Sequence, residues 1–187
     1  VRFDGLGGTD TVVFTGSAAD DVVELRPTSG VLSSADYTVT VENVESITAS
    51  GGGGNDAAIL HDSAGDDTFA GRKAQSSLTG AGFNLVANAF ETVEVRSEAG
   101  GYDQAALYDA VGDDTFTASH QSAKLTDGAY TIDVKAFGNV RAFATAGGLD
   151  TAQFSDSSGN DRFESTAGYA QMRDDQSTYY LYADAFD

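Results

Sequence analysis

Apolar and polar residues alternate in short runs along the whole chain. Tyr37-Thr38-Val39-Thr40-Val41 and Tyr130-Thr131-Ile132-Asp133-Val134 keep a near-perfect period of two, and Asp56-Ala57-Ala58-Ile59-Leu60-His61 and Asp103-Gln104-Ala105-Ala106-Leu107-Tyr108 read the same way. A period of two places successive side chains on opposite faces of a strand. Clusters of Gly, Ser and Asp interrupt these runs at short, regular intervals, as turns between strands do. No amphipathic stretch is long enough to predict a helix. The pattern predicts an all-β chain.

The apolar positions also recur at long range. One column runs Phe14, Tyr37, Leu60, Phe83, Leu107, Tyr130, Phe154, in steps of 23 or 24. A second runs Val23, Ile47, Phe69, Val93, Phe116, Val140, Phe163, and a third, Leu32, Leu78, Leu125, Met172, marks only every other step. Recurrence at fixed spacing is the signature of a repeat architecture. The spacing predicts a parallel β-solenoid of about eight 23-residue coils, paired as unlike halves into four 47-residue repeats, with like residues stacked along the axis. A four-bladed β-propeller is the alternative, each repeat then forming one blade. The half-period favours the solenoid, because nothing makes one half of a blade resemble the other.

The repeat is anchored by a Gly-Gly-x-Asp turn at Gly7-Gly8-Thr9-Asp10, Gly53-Gly54-Asn55-Asp56, Gly100-Gly101-Tyr102-Asp103 and Gly147-Gly148-Leu149-Asp150. Eleven residues on, a second acidic turn ends at Asp21, Asp67, Asp114 and Asp161. The chain therefore divides into repeats at about 7–52, 53–99, 100–146 and 147–187, forming one repeat domain over 1–187. It opens at Val1 and stops inside the pattern, as expected for a segment of a longer protein whose neighbouring domains are its first partners.

Composition narrows the function. The 187 residues carry 29 acidic and 10 basic side chains, a formal net charge of −19. Nucleic acid and polyanionic sugars are disfavoured as partners, since both need clustered Lys and Arg; metal cations or saline surroundings complement such a surface. There is no cysteine, hence no disulfide. No apolar run approaches the roughly 20 residues of a membrane-spanning helix, so membrane insertion is not expected.

Chemistry concentrates in the acidic turns. Gly51-Gly52-Gly53-Gly54-Asn55-Asp56-Ala57-Ala58-Ile59 fits a nine-residue Gly-Gly-x-Gly-x-Asp-x-apolar-x unit. Asp62-Ser63-Ala64-Gly65-Asp66-Asp67-Thr68-Phe69 keeps its second half, as do Asp109-Ala110-Val111-Gly112-Asp113-Asp114-Thr115-Phe116 and Asp156-Ser157-Ser158-Gly159-Asn160-Asp161-Arg162-Phe163. At these residues the chain resembles, in degenerate form, the RTX or haemolysin-type calcium-binding repeats of large secreted or surface bacterial proteins, over roughly 20 of every 47 residues. The resemblance implies a right-handed parallel β-roll, calcium as the cofactor, and a secreted or cell-surface location. The candidate metal ligands are Asp10, Asp20, Asp21, Asp56, Asp62, Asp66, Asp67, Asp103, Asp109, Asp113, Asp114, Asp150, Asp156, Asn160 and Asp161. The motif aspartates are 11 apart rather than 9. Like turns would recur only every second coil, about 10 Å apart, too far for a continuous calcium ladder. A local site built from Asp62, Asp66 or Asp67 with turn carbonyls is compatible with the spacing. The competing reading is structural: Asp caps turn amides, and Gly supplies positive φ.

Other residues point nowhere sharply. His61 and His120 occupy non-equivalent positions and read as exposed strand and loop residues. The Phe and Tyr columns read as stacked core, with Tyr179-Tyr180 and Tyr182 the exceptions that could face sugars. No nucleophile elbow occurs. The expectation is a non-catalytic structural or adhesive β-solenoid segment, stabilised by calcium, with surface glycans or cell-surface proteins as further partners. Its alternatives are a carbohydrate-binding module and a β-helix of the polysaccharide lyase or hydrolase type.

Overall fold

A computed structural model describes all residues, Val1–Asp187. The chain is a β-solenoid of twenty strands without a helix. Its first strand, β1 (Arg2–Asp4), precedes the first repeat, which holds β2 (Thr11–Thr15), β3 (Val22–Arg26), β4 (Ser29–Ser33), β5 (Thr38–Glu42) and β6 (Ser46–Ser50). The second repeat has β7 (Ala57–His61), β8 (Thr68–Gly71), β9 (Gln75–Gly80), β10 (Phe83–Asn88) and β11 (Thr92–Arg96). The third has β12 (Gln104–Tyr108), β13 (Thr115–Ala118), β14 (Ser122–Thr126), β15 (Thr131–Lys135) and β16 (Asn139–Phe143). The fourth has β17 (Thr151–Phe154), β18 (Asp161–Ser165), β19 (Tyr169–Asp174) and β20 (Tyr180–Asp184).

Two ten-stranded sheets face each other. One runs β1-β5-β4-β3-β7-β11-β15-β14-β13-β17, the other β2-β6-β10-β9-β8-β12-β16-β20-β19-β18. Every repeat contributes an antiparallel meander of three strands to one sheet and flanking strands, paired in parallel, to the other. The sheet receiving the meander alternates from repeat to repeat. Successive repeats are thus related by a half-turn about the rod axis combined with an advance along it. Ten strands at the usual spacing make a rod on the order of 45 Å long.

The solenoid stands, but its rungs are longer and fewer than the half-period coils expected from the sequence. Parallel neighbours lie 35 residues apart where Val12 faces Ile47 and Val23 faces Ala58, and up to 41 where Val140 faces Leu181. The half-period has another origin. A strand in one sheet, an arch and a strand in the other form the half-unit, seen as β2–β3 and again as β5–β6, and the central meander strand is inserted between them. The third column, Leu32, Leu78, Leu125 and Met172, marks that central strand.

The columns do form the core. Phe14, Leu60, Phe83, Leu107 and Tyr130 are buried, as are Val23, Ile47, Phe69, Val93, Phe116 and Val140, all within one apolar cluster between the sheets. Phe163 departs from its column, being 54% exposed on the last rung.

Candidate metal centre

The chain passes between sheets through two kinds of acidic arch, and the two kinds lie directly on each other. The Gly-Gly-x-Asp arch that opens one repeat rests on the Asp-Asp arch of the repeat before it. Asp21 donates its amide to Asp56 Oδ1, Asp67 to Asp103 Oδ1 and Asp114 to Asp150 Oδ1, each at 2.8 Å. Asp20, Asp66 and Asp113 accept the amides of Asn55, Tyr102 and Leu149 at 2.8 to 2.9 Å. Each junction is clamped twice. The wide separation expected between acidic turns is therefore replaced by direct contact, because unlike turns rather than like ones are neighbours.

Glycine makes this approach feasible. A Cβ on Gly101 would lie 2.1 Å from Gly65 O, and one on Gly148 1.9 Å from Gly112 O, and both residues have positive φ. Only a residue without a side chain lets backbone rest on backbone at that distance.

Within each Asp-Asp arch the second carboxylate turns back on its own loop. Asp21, Asp67, Asp114 and Asp161 accept the amides of Ser17, Ser63, Ala110 and Ser157. A tyrosine from the start of the third meander strand adds a phenol donor: Tyr37 to Asp21 at 2.7 Å, Tyr130 to Asp114 at 2.8 Å, and Tyr179 to Asp161. The second repeat has Phe83 at this place and no such donor. Gly80 keeps that ring close to the carboxylate, since a Cβ there would lie 1.7 Å from Asp67 Oδ1 and 2.3 Å from the Phe83 ring.

The junction of the second and third repeats is also where three carboxylates gather. Oxygens of Asp62, Asp67 and Asp103 lie within 4.8 Å of one another, and all three residues are buried. Asp62 accepts the amides of Glu98 and Ala99, Ser63 serves Asp67, and Ser97 Oγ donates to Asp103 at 2.6 Å. Burial raises the Asp103 carboxyl, and the charges of Asp62 and Asp67 add to that, over the opposing pull of the Ser97 hydroxyl and the Asp67 amide. Burial raises Asp56 and Asp114 likewise, with Glu91, Asp21 and Asp20 pressing on Asp56. At Asp21 burial also pushes upward, yet Tyr37 and Ser17 outweigh it and hold the group below its ordinary range. The three oxygens are close enough to one another to hold a metal ion between them.

The remaining candidate ligands are dispersed. Asp109 accepts the Ala146 amide, Asp156 and Asn160 are exposed, and Asp10 sits at the opposite end of the rod with its buried Oδ2 lacking a partner. Sequence reasoning missed the tyrosine donors: it assigned the rings of Tyr37 and Tyr130 to the core alone and set Tyr179 among those that could face sugars. It also missed Glu45, Glu91 and Asp187, which accept the amides of Asp10, Asp56 and Asp150. The signal was present as an acid at equivalent places in the first two repeats, Glu45 and Glu91, with Gly138 in the third.

His61 is a correction: it is buried, not exposed, with Nε2 3.1 Å from Glu24 and Nδ1 3.6 Å from Glu98. Its strand lies between two parallel neighbours, where lateral coverage hides it. Tyr179 is buried, whereas Tyr180 and Tyr182 stack on the outer face of the second sheet near Tyr169.

Comparison with protein-family models, with curated proteins and with solved structures found no match for the chain.

Proposed function

We propose that the chain is a non-catalytic structural and adhesive segment of a secreted or cell-surface protein, a spacer rod whose acidic arches are stabilised by calcium. The observation that carries this reading is the recurrence of one buried Asp-to-Asp clamp at three successive junctions, Asp21–Asp56, Asp67–Asp103 and Asp114–Asp150. A device repeated along a rod serves its length and stiffness, not a single reacting centre.

Calcium is assigned to the trio Asp62, Asp67 and Asp103. Three repeats hold the arch carboxylate with a tyrosine; the second substitutes Phe83 and brings a third carboxylate close. A cation there would offset the repulsion that adds to burial in raising Asp103 and would bind the folded chain in preference to the unfolded one.

Calorimetry in calcium and in EDTA tests the assignment. Calcium at about one hundred times its Kd stabilises a single site by about 2.7 kcal/mol, so the melting temperature rises, and Asp103→Asn reduces that rise. Equal melting temperatures in calcium and EDTA would remove the metal from the account and leave the spacer reading to stand on the repeat alone.

A further inference from the structure

We infer that a cleft on the outer face of the second sheet binds a sugar ring carrying a single carboxylate, with Arg141 and Arg173 as the groups that pair with the acid. The inference goes beyond the spacer rod and owes nothing to calcium: the cleft shares no residue with the trio Asp62, Asp67 and Asp103.

Departures from the repeat gather at this place. Arg141 follows Val140 where Thr48 follows Ile47 and Glu94 follows Val93. Arg173 follows Met172 where Ser33, Thr79 and Thr126 follow the leucines of the same column. Gly138 replaces the acids Glu45 and Glu91. The step from the central meander strand to the next strand is 5 in Leu32–Tyr37, Leu78–Phe83 and Leu125–Tyr130, but 7 in Met172–Tyr179. The longer turn carries Ser177 in a left-handed conformation, φ 56°. A rod needs none of these changes. Together with Tyr102, Asn139 and Tyr180 they border one open cleft of about 260 Å³. Arg173 faces Tyr180, and Tyr180 faces Asn139, across three paired strands. β18 lies outside β19, so any strand added beyond it would be about 10 Å from Arg173, two strand spacings away.

The cleft is rich in unused donors although the chain is rich in acids. Arg2, Arg26, Lys73, Arg96, Lys135 and Arg162 each pair with a carboxylate, whereas Arg141 and Arg173 pair with none. Arg141 donates only through Nε, to Asn139 Oδ1 at 3.3 Å. The Tyr102 hydroxyl accepts from Asn139 Nδ2 at 3.4 Å and keeps its own proton free. Burial raises the Tyr180 phenol, and the charges of Arg141 and Arg173 both pull against that, so the two guanidiniums converge on one neighbourhood. A planar carboxylate matches such forks. The Tyr102 ring, 49% exposed, offers an apolar face to the C–H side of a sugar and a hydroxyl to its oxygens. A cleft smaller than the roughly 300–1,000 Å³ of drug-sized sites has room for one ring. The net charge of −19 repels polyanions, which restricts the ligand to one carrying few charges.

NMR titrations at low salt test the assignment, with methyl β-glucuronide and the methyl α-glycoside of N-acetylneuraminate as the acidic sugars. Methyl β-glucoside is the neutral control, and N-acetylalanine stands for a peptide carboxyl terminus. At least one acidic sugar shifts the backbone amides of Arg141, Arg173 and Tyr180, with a Kd on the order of 1 mM for a molecule of this size. The glucoside and N-acetylalanine bind at least about tenfold more weakly. Arg141→Gln and Arg173→Gln, both at exposed positions, each weaken the acidic sugar at least about tenfold. Lys124→Gln, an exposed change on the first sheet, leaves its binding as in the wild type and excludes a general effect of charge. Amides unmoved by either acidic sugar, N-acetylalanine binding as tightly as they do, or arginine variants that bind like the wild type would each overturn the proposal.

Discussion

A buried carboxylate survives in this rod only where donors surround it, and the tyrosine column supplies one of them. Tyr130 is nearly as buried as the Asp114 carboxylate it serves, and burial together with that bond pushes its phenol far above its ordinary value. Tyr130→Phe leaves the Asp114 oxygen short of a donor and costs about 1–3 kcal/mol, measured by urea unfolding in EDTA. The reciprocal change, Phe83→Tyr, gives Asp67 the donor that its repeat lacks; it adds about 1 kcal/mol to the calcium-free chain and narrows the gap between calcium and EDTA. If Tyr130→Phe were neutral, the phenols would be packing groups and nothing more. At this scale the sequence was half legible. Apolar recurrence marked Tyr37, Phe83 and Tyr130 as core, correctly for their rings, but a spacing carries no sign of where a hydroxyl ends. That Asp62, Asp67 and Asp103 converge was invisible for a similar reason: Asp103 belongs to the next repeat, and only the 36-residue rung offset, as between Thr68 and Gln104, brings it over Asp67.

Strands were the easiest elements to read, because alternation is a local property and burial patterns such as those of β11, β13 and β15 repeat it. Arches were harder. The Gly/Asp arches announce themselves, whereas the third kind, joining β5 to β6, β10 to β11 and β15 to β16, turns through a single left-handed residue: Asn43, Ala89 or Ala136, with φ of 56°, 53° and 61°. Ala185 repeats it after β20. The residue that follows, Val44, Phe90, Phe137 or Phe186, drops into or against the core. Asn43 is a residue at home in that conformation, but alanine gives no hint of it, so nothing in the sequence marked the bends at Ala89 and Ala136. An L-residue there is strained by about 1–2 kcal/mol, partly offset in glycine by the greater freedom of its unfolded chain. Ala136 is exposed, so Ala136→Gly raises stability by about 0.5–1 kcal/mol. A loss of stability in thermal melts would show that the methyl contributes more than the strain removes. Rung spacing was misjudged at this level as well. The sequence shows which half-units are alike, and alike is not adjacent once a meander strand is folded back between them.

The whole molecule answers to its charge. Asp56, Asp103 and Asp114 bind protons more tightly when folded than when unfolded, so their ionisation at neutral pH opposes folding, and that opposition fades as pH falls through their raised folded values. Asp21, Asp127 and Asp161 are held low by their donors. The stability they contribute is present above the unfolded value of about 3.9 and is lost as pH falls through the lower folded ones. In EDTA, melting temperature therefore rises as pH falls from neutral through the raised values, and drops once pH passes below the unfolded value of about 3.9. A steady decline from neutral to acid would contradict the raised values. Elongation of the rod has a parity, because each repeat hands its meander to the opposite sheet. Duplicating one repeat would rotate everything beyond it to the reverse side, while duplicating two would leave downstream faces looking the way they did. A lineage that lengthens such a rod without scrambling what its sides display must therefore grow in pairs.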